Sequence, residues 1–134
     1  MTRKTKIAVF ASGSGSNFTA IEEACRTGEL NAEIALVVTN KPEAYVVERA
    51  ENAAIPVAAF RPKDYASREL YEAAILDALH EAGAEWLVLA GYMRLVGQTL
   101  LSAYPSRIVN IHPSLLPSFP GKDAIEQAIE HGVK

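Results

Sequence analysis

One cysteine in 134 residues, no basic excess and no long apolar run define what this chain is not. With Cys25 alone there can be no internal disulfide, and its place in an apolar helical run reads as a packed thiol in a cytosolic protein. Lys and Arg number 13 against 16 Asp and Glu, a formal charge of -3 and a pI of about 5.6. That balance offers no footprint for nucleic acid or an anionic membrane surface, and small-molecule chemistry is favoured. The basic opening Met1-Thr2-Arg3-Lys4-Thr5-Lys6 leads into only a short apolar segment before glycines and serines intervene, so neither a signal peptide nor a membrane span is expected. No cluster of His, Cys or carboxylates has metal-ligand spacing, and no metal is expected. No repeat, low-complexity tract or linker divides the chain, and 49% hydrophobic residues suffice for a core, so residues 1–134 are expected to form a single domain.

What is present is an alternation. Lys6-Ile7-Ala8-Val9-Phe10-Ala11 is a nearly continuous apolar run ending in Ser-Gly-Ser-Gly, as a strand buried on both faces of a parallel sheet reads. Residues 17–27 then show helical spacing, with Phe18, Ile21, Ala24 and Cys25 on one side and Gly28 as the stop. Further strands are expected at 33–39, 56–60, 86–90 and 108–111, with helices at 44–52, 67–82 and 122–131. Ser67 is the expected N-cap of the longest helix, and Leu70, Ala74, Leu76 and Leu79 are expected to face the core. This order predicts an α/β fold with a doubly wound, mostly parallel sheet whose ligand crevice lies at the carboxyl ends of the strands.

Three unusual stretches open onto that crevice. The first, Ser12-Gly13-Ser14-Gly15-Ser16-Asn17, joins a buried strand to a helix start, where backbone N–H groups and the helix dipole favour an anion. A dinucleotide fingerprint would need a third glycine where Phe18 stands and an acid where Thr39-Asn40 stands, and a phosphate-cradling Walker lysine is missing. A single-phosphate site at Gly15, Ser16 and Asn17 remains, or else a tight turn with a helix cap. The second stretch, Leu89-Ala90-Gly91-Tyr92-Met93-Arg94-Leu95-Val96, offers apolar side chains and backbone amides suited to a flat heteroaromatic ring.

The third stretch runs from Asn110 through His112 and three prolines to Gly121. Asn110 and His112 fall two residues apart at a strand's end, hence on one face, and the proline after His112 keeps it extended. Leu116-Pro117 is the bond at which a cis geometry is expected. His112 reads either as a structural histidine or as an acid-base group, while His80 and His131, near the ends of helical segments among charged neighbours, read as surface.

Together the glycine-serine loop and the Asn-Ile-His-Pro-Ser-Leu-Leu-Pro stretch resemble the folate-dependent formyltransferases, from about Lys6 to Lys134 and in register with that family's amino-terminal two thirds. The resemblance implies a Rossmann-like formyltransferase fold apparently lacking its carboxyl-terminal part. It implies an enzyme that moves a formyl group from 10-formyltetrahydrofolate, as co-substrate, to an amine. The branch acting on glycinamide ribonucleotide, in de novo purine biosynthesis, places the substrate's phosphate at positions matching Gly15, Ser16 and Asn17. It places the pterin at Met93, Arg94, Leu95 and Val96, and a folate-contacting arginine at Arg68, which the residues alone leave as a helix charge paired with Asp64 or Glu72. His112 and Asn110 become the catalytic pair that stabilises the oxyanion, and Asn110 also lies against the folate. The family's aspartate partner of the histidine is expected beyond Lys134, and Asp123 reads as a helix-start residue instead. Without that part, the 134-residue piece is expected to be weakly active or inactive. Other formyl-folate enzymes, methionyl-transfer-RNA formyltransferase and formyltetrahydrofolate deformylase, share such a motif and stay as alternatives, as does a non-catalytic module on the same fold. The remaining expectations are a cytoplasmic protein, monomeric or weakly homodimeric, with no nucleic-acid or membrane partner.

Overall fold

Short runs of β-branched and aromatic residues set the strands, and helices with one apolar stripe cover them. The computed structural model describes residues 3–111 and 120–131. Five strands, β1 (Thr5–Phe10), β2 (Ala32–Thr39), β3 (Val57–Ala59), β4 (Trp86–Ala90) and β5 (Ile108–Ile111), form one sheet in the order β3-β2-β1-β4-β5. Every pairing is parallel, with Val9 opposite Val37 on one side and Val88 on the other. The central strand is therefore buried on both faces, and Ile7 to Phe10 are fully enclosed.

Alternation along β1 divides the core in two. Ile7, Val9 and Ala11 point to a face covered by α1 (Ser16–Thr27), α2 (Tyr45–Asn52) and α5 (Pro120–His131), through Phe18, Ile21, Val46, Ala50 and Ile125. Ala8 and Phe10 point to the other, under α3 (Arg68–Ala82) and α4 (Gln98–Ala103), with Tyr71, Ile75, Leu79, Leu100 and Tyr104. Helices on both faces of a parallel sheet are the doubly wound α/β architecture that the alternation predicts. At the amino edge, Trp86 opens β4, 6% exposed, with the Arg107 guanidinium 5.8 Å above its ring. Nearby, Glu85 receives a two-pronged bond from Arg3 at 2.8 and 2.9 Å and the Lys6 N–H at 2.9 Å.

Helix α1 ends where expected, with Gly28 in the left-handed region at φ 87 and its N–H on the Cys25 carbonyl. Cys25 is buried, and burial pushes its thiol up to about 11. Ser67 caps α3, its hydroxyl accepting the Leu70 N–H at 3.1 Å. The inward face of α3 differs from the expectation: Leu70 is 55% exposed, Ala74 and Leu76 are half-buried, and Tyr71, Glu72, Ile75 and Leu79 are buried. The spacing from Leu79 back through Ile75 to Tyr71 is a run of fours, and it places Leu70 about 100° off the stripe. The six-residue α4 went unpredicted because Gln98–Ala103 is too short for a helical period to show.

Candidate active-site crevice

In the order β3-β2-β1-β4-β5 the chain winds outward in opposite directions from β1 and β4, so their carboxyl ends flank a cleft at the reversal point. The loop after β1 enters this cleft through Ser12, which is 3% exposed. Gly13 accepts the Val46 N–H at 3.1 Å, and Gly15, at φ 83 and ψ 22, stands as N-cap of α1 with no side chain to cap it. An added Cβ at Gly15 would lie 2.7 Å from Val46 Cγ2 and 3.0 Å from Val46 Cα, so only glycine lets α2 approach this closely. Ser16 is exposed and Asn17 half-buried at the first turn of α1, where the N–H groups lack intrahelical partners.

The loop after β4 turns at Gly91, φ 79, and carries the apolar stretch. Met93 and Leu95 are 78% and 80% exposed, while Arg94 and Val96 are half-buried. Exposing two large apolar side chains two residues apart costs hydration free energy, on the order of 1.5–3 kcal/mol each relative to burial. Underneath, Tyr92 is fixed by an edge-to-face contact with Phe10 at 5.2 Å and by a hydroxyl pair with Tyr71 at 2.8 Å. Burial, then the Tyr71 hydrogen bond, pushes the Tyr92 phenol far above its ordinary range, so the pair stays neutral. Arg94 lies with its guanidinium 5.5 Å from the Tyr71 ring.

Ser12 joins the two loops. Its Oγ accepts the Met93 N–H at 2.7 Å and donates to Asn40 Oδ1 at 2.5 Å, and its own N–H donates to the Gly91 carbonyl at 3.2 Å. Asn40, conspicuous in the sequence only as a missing acid, is the residue that orients this hydroxyl. A depression of about 360 Å³ next to it is lined by Asn40, Lys41, Arg61, Lys63 and Arg94, with Glu43 offsetting Arg61 at 3.6 Å. Another cavity, about 290 Å³, lies at the opposite, amino end of the sheet beside Arg3, Leu30 and Ile129, away from these loops.

Arg68 is exposed at the first turn of α3, and its aliphatic stem lies against Gly97, where α4 begins. It does not pair with Glu72, whose carboxylate is buried against α4 instead. Asn110 is exposed in β5, in register with Leu89. His112 lies outside the described residues, as do the Leu116-Pro117 bond and the side chains of Asp123 and His131; His80 is exposed on α3. The structure thus ties the loop after β1 to the loop after β4 through Ser12, and Ser12, Asn40 and Glu72 are the holding residues that sequence reasoning passed over.

Residues 5–134 match the formyl transferase family. The chain belongs to that family. Its fold is accordingly the α/β formyltransferase fold. The chain is 54% identical over 129 residues to the phosphoribosylglycinamide formyltransferase of Bacillus subtilis, covering 96% of this chain and 66% of that protein. The glycinamide ribonucleotide transformylase 1 structure from Geobacillus kaustophilus superposes with a TM-score of 0.80 at 55% identity, over 97% of this chain and 69% of that one. More distant is a formyltetrahydrofolate deformylase from Pseudomonas putida, 28% identical with a TM-score of 0.71, over 86% of this chain and 40% of that one. The chain therefore spans just under two thirds of the length of its Bacillus relative. Among the described residues no helix is long and apolar enough to cross a membrane.

Proposed function

We propose that this chain carries the substrate-binding and catalytic strands of a phosphoribosylglycinamide formyltransferase, moving the formyl group of 10-formyltetrahydrofolate to the amine of glycinamide ribonucleotide. The observation that supports this reading is the Met93 N–H to Ser12 Oγ bond at 2.7 Å, which ties the loop leading into an anion-suited helix start to an exposed apolar loop. One cleft then offers a phosphate seat and a ring seat, as a two-substrate transfer needs. Gly15, Ser16 and Asn17 take the ribonucleotide phosphate; Met93, Arg94, Leu95 and Val96 take the pterin; Arg68 meets the glutamate carboxylates of the folate. The amine attacks the formyl carbon, the carbonyl oxygen becomes an oxyanion in a tetrahedral intermediate, and the bond from carbon to N10 breaks as that oxygen re-forms the carbonyl of the product. The Asn110 amide and protonated His112 stabilise that oxygen, and His112 gives its proton to the departing nitrogen and is recharged by the proton shed by the amine. The protein acts as a single domain in the cytoplasm, with no membrane or nucleic-acid partner.

Combined Ser16→Ala and Asn17→Ala substitution tests the reading in the full chain. Glycinamide ribonucleotide affinity should fall while formyl-folate affinity holds, and His112→Ala should lower turnover by roughly 10²–10⁴-fold. A double variant that binds the ribonucleotide unchanged removes this substrate. The deformylase likeness then becomes the better reading, with water in place of the amine.

A further inference from the structure

Glu72 is a carboxylate at 3% exposure, and among the described residues no cation pairs with it. Its oxygens accept the Gly97 N–H at 2.6 Å and the Leu100 N–H at 3.3 Å, so its charge is met by the free amides at the start of α4. Glu72 sits one turn after Arg68 on α3, which puts both side chains on one face. Gly97 fills the space between them: an added Cβ there would lie 3.0 Å from Arg68 Cδ, 3.0 Å from Glu72 Oε1 and 3.1 Å from Glu72 Oε2. Gly97 has an ordinary extended backbone, φ -98 and ψ -173, so what it supplies is room rather than conformational freedom. Gly97 also ends the loop that begins at Gly91 and bears Met93 to Val96. We infer that Glu72 is a positioning residue for the formyl-folate subsite: by clamping Gly97 it fixes the far end of the 91–97 loop and the stem of Arg68 relative to each other. Tyr71 and Ser12 hold the near end of that loop through Tyr92 and Met93, and Arg94 in its middle lies over the Tyr71 ring, so the Glu72 contact is the polar anchor of the far end, beside Val96, whose side chain packs on the core.

This inference rests on the formyl-folate reading, and its test separates the two. Calorimetric titration of the full chain with 10-formyltetrahydrofolate and, separately, with glycinamide ribonucleotide would be made on the unsubstituted protein, Glu72→Gln, Glu72→Ala and Gly97→Ala. Formyl-folate affinity should weaken about tenfold or more in Glu72→Ala and in Gly97→Ala, while ribonucleotide affinity changes less than about twofold. Glu72→Gln should fall between, because its amide oxygen still accepts the Gly97 N–H but its nitrogen cannot accept from Leu100. A purely structural role would lower the midpoint of unfolding with both affinities intact or both lost, and either result overturns the inference. Equal formyl-folate affinity in Gln, Ala and unsubstituted forms overturns it as well. Absence of formyl-folate binding in the unsubstituted full chain overturns the functional reading and this inference together.

Discussion

Gly15→Ala tests the phosphate-side architecture at its tightest point. Two costs add at this residue. The first is conformational: φ 83 and ψ 22 lie in the left-handed region, where a Cβ costs an L-residue about 1–2 kcal/mol. The second is steric. The new methyl would meet Val46 at 2.7 Å to Cγ2, 2.9 Å to Cβ and 3.0 Å to Cα. Rotating the valine relieves only the first of these, because Cα is backbone, so α2 itself must shift away from α1. Overpacking of this kind costs about 1–3 kcal/mol. The sum is about 2–5 kcal/mol, read as a fall in the urea midpoint with an unchanged slope. Val46→Ala in the same background removes the Cγ contact and should return part of the steric share while leaving the conformational share, so the double-mutant cycle should show a coupling of about 0.5 kcal/mol or more. Strict additivity would refute the claim that Gly15 is required for the approach of Val46. A Gly15→Ala protein as stable as the parent would refute both terms at once.

Two further expectations concern acid and the core. Glu85 is held down to about 2, first by the Arg3 hydrogen bond and then by the Lys6 amide. Its folded value lies below an unfolded value of about 4.3, so its contribution is complete above that pH and is lost as pH falls toward 2. Because Arg3 is 71% exposed and Glu85 29%, screening holds this to about 1 kcal/mol; Glu85→Gln should flatten acid unfolding by that amount between about pH 4.5 and 2, and an unchanged profile would contradict it. On α3, Leu79→Ala should cost about 2–5 kcal/mol of unfolding free energy and Leu70→Ala no more than about 0.5 kcal/mol, as chemical denaturation would measure; a costly Leu70→Ala would contradict the helix rotation described above.

Strand content was legible because a buried parallel strand announces itself in a few consecutive apolar residues, as in Ile7 to Phe10 or Trp86 to Ala90. Helix ends were legible where chemistry marks them, Gly28 closing α1 and Ser67 opening α3. The face of α3 was misread at Leu70 because an apolar residue was taken as an inward one, although leucines also sit on surfaces. Glu72 was misread for the opposite reason. A glutamate in a helix is ordinarily solvated, and only the arrival of α4, about 25 residues later in the chain, turns it inward. Ser12 and Asn40 were visible as letters, yet their bond spans 28 positions, and nothing in either neighbourhood specifies it. Local pattern finds the loops, whereas the polar contacts that hold loops to one another are long-range and need the fold.

The chain has a single indole, Trp86, and the sheet has put it at the end of β4 remote from the crevice. Four residue rises of about 3.3 Å separate it from Ala90, a distance of about 13 Å along the strand. Its emission colour is thus governed by the amino edge of the sheet and by Arg107 above the ring, and an occupied crevice does not touch it. The protein carries a built-in optical gauge of folding that is deaf to contact at the site, and titrations of the two substrates call for heat, mass or an added dye.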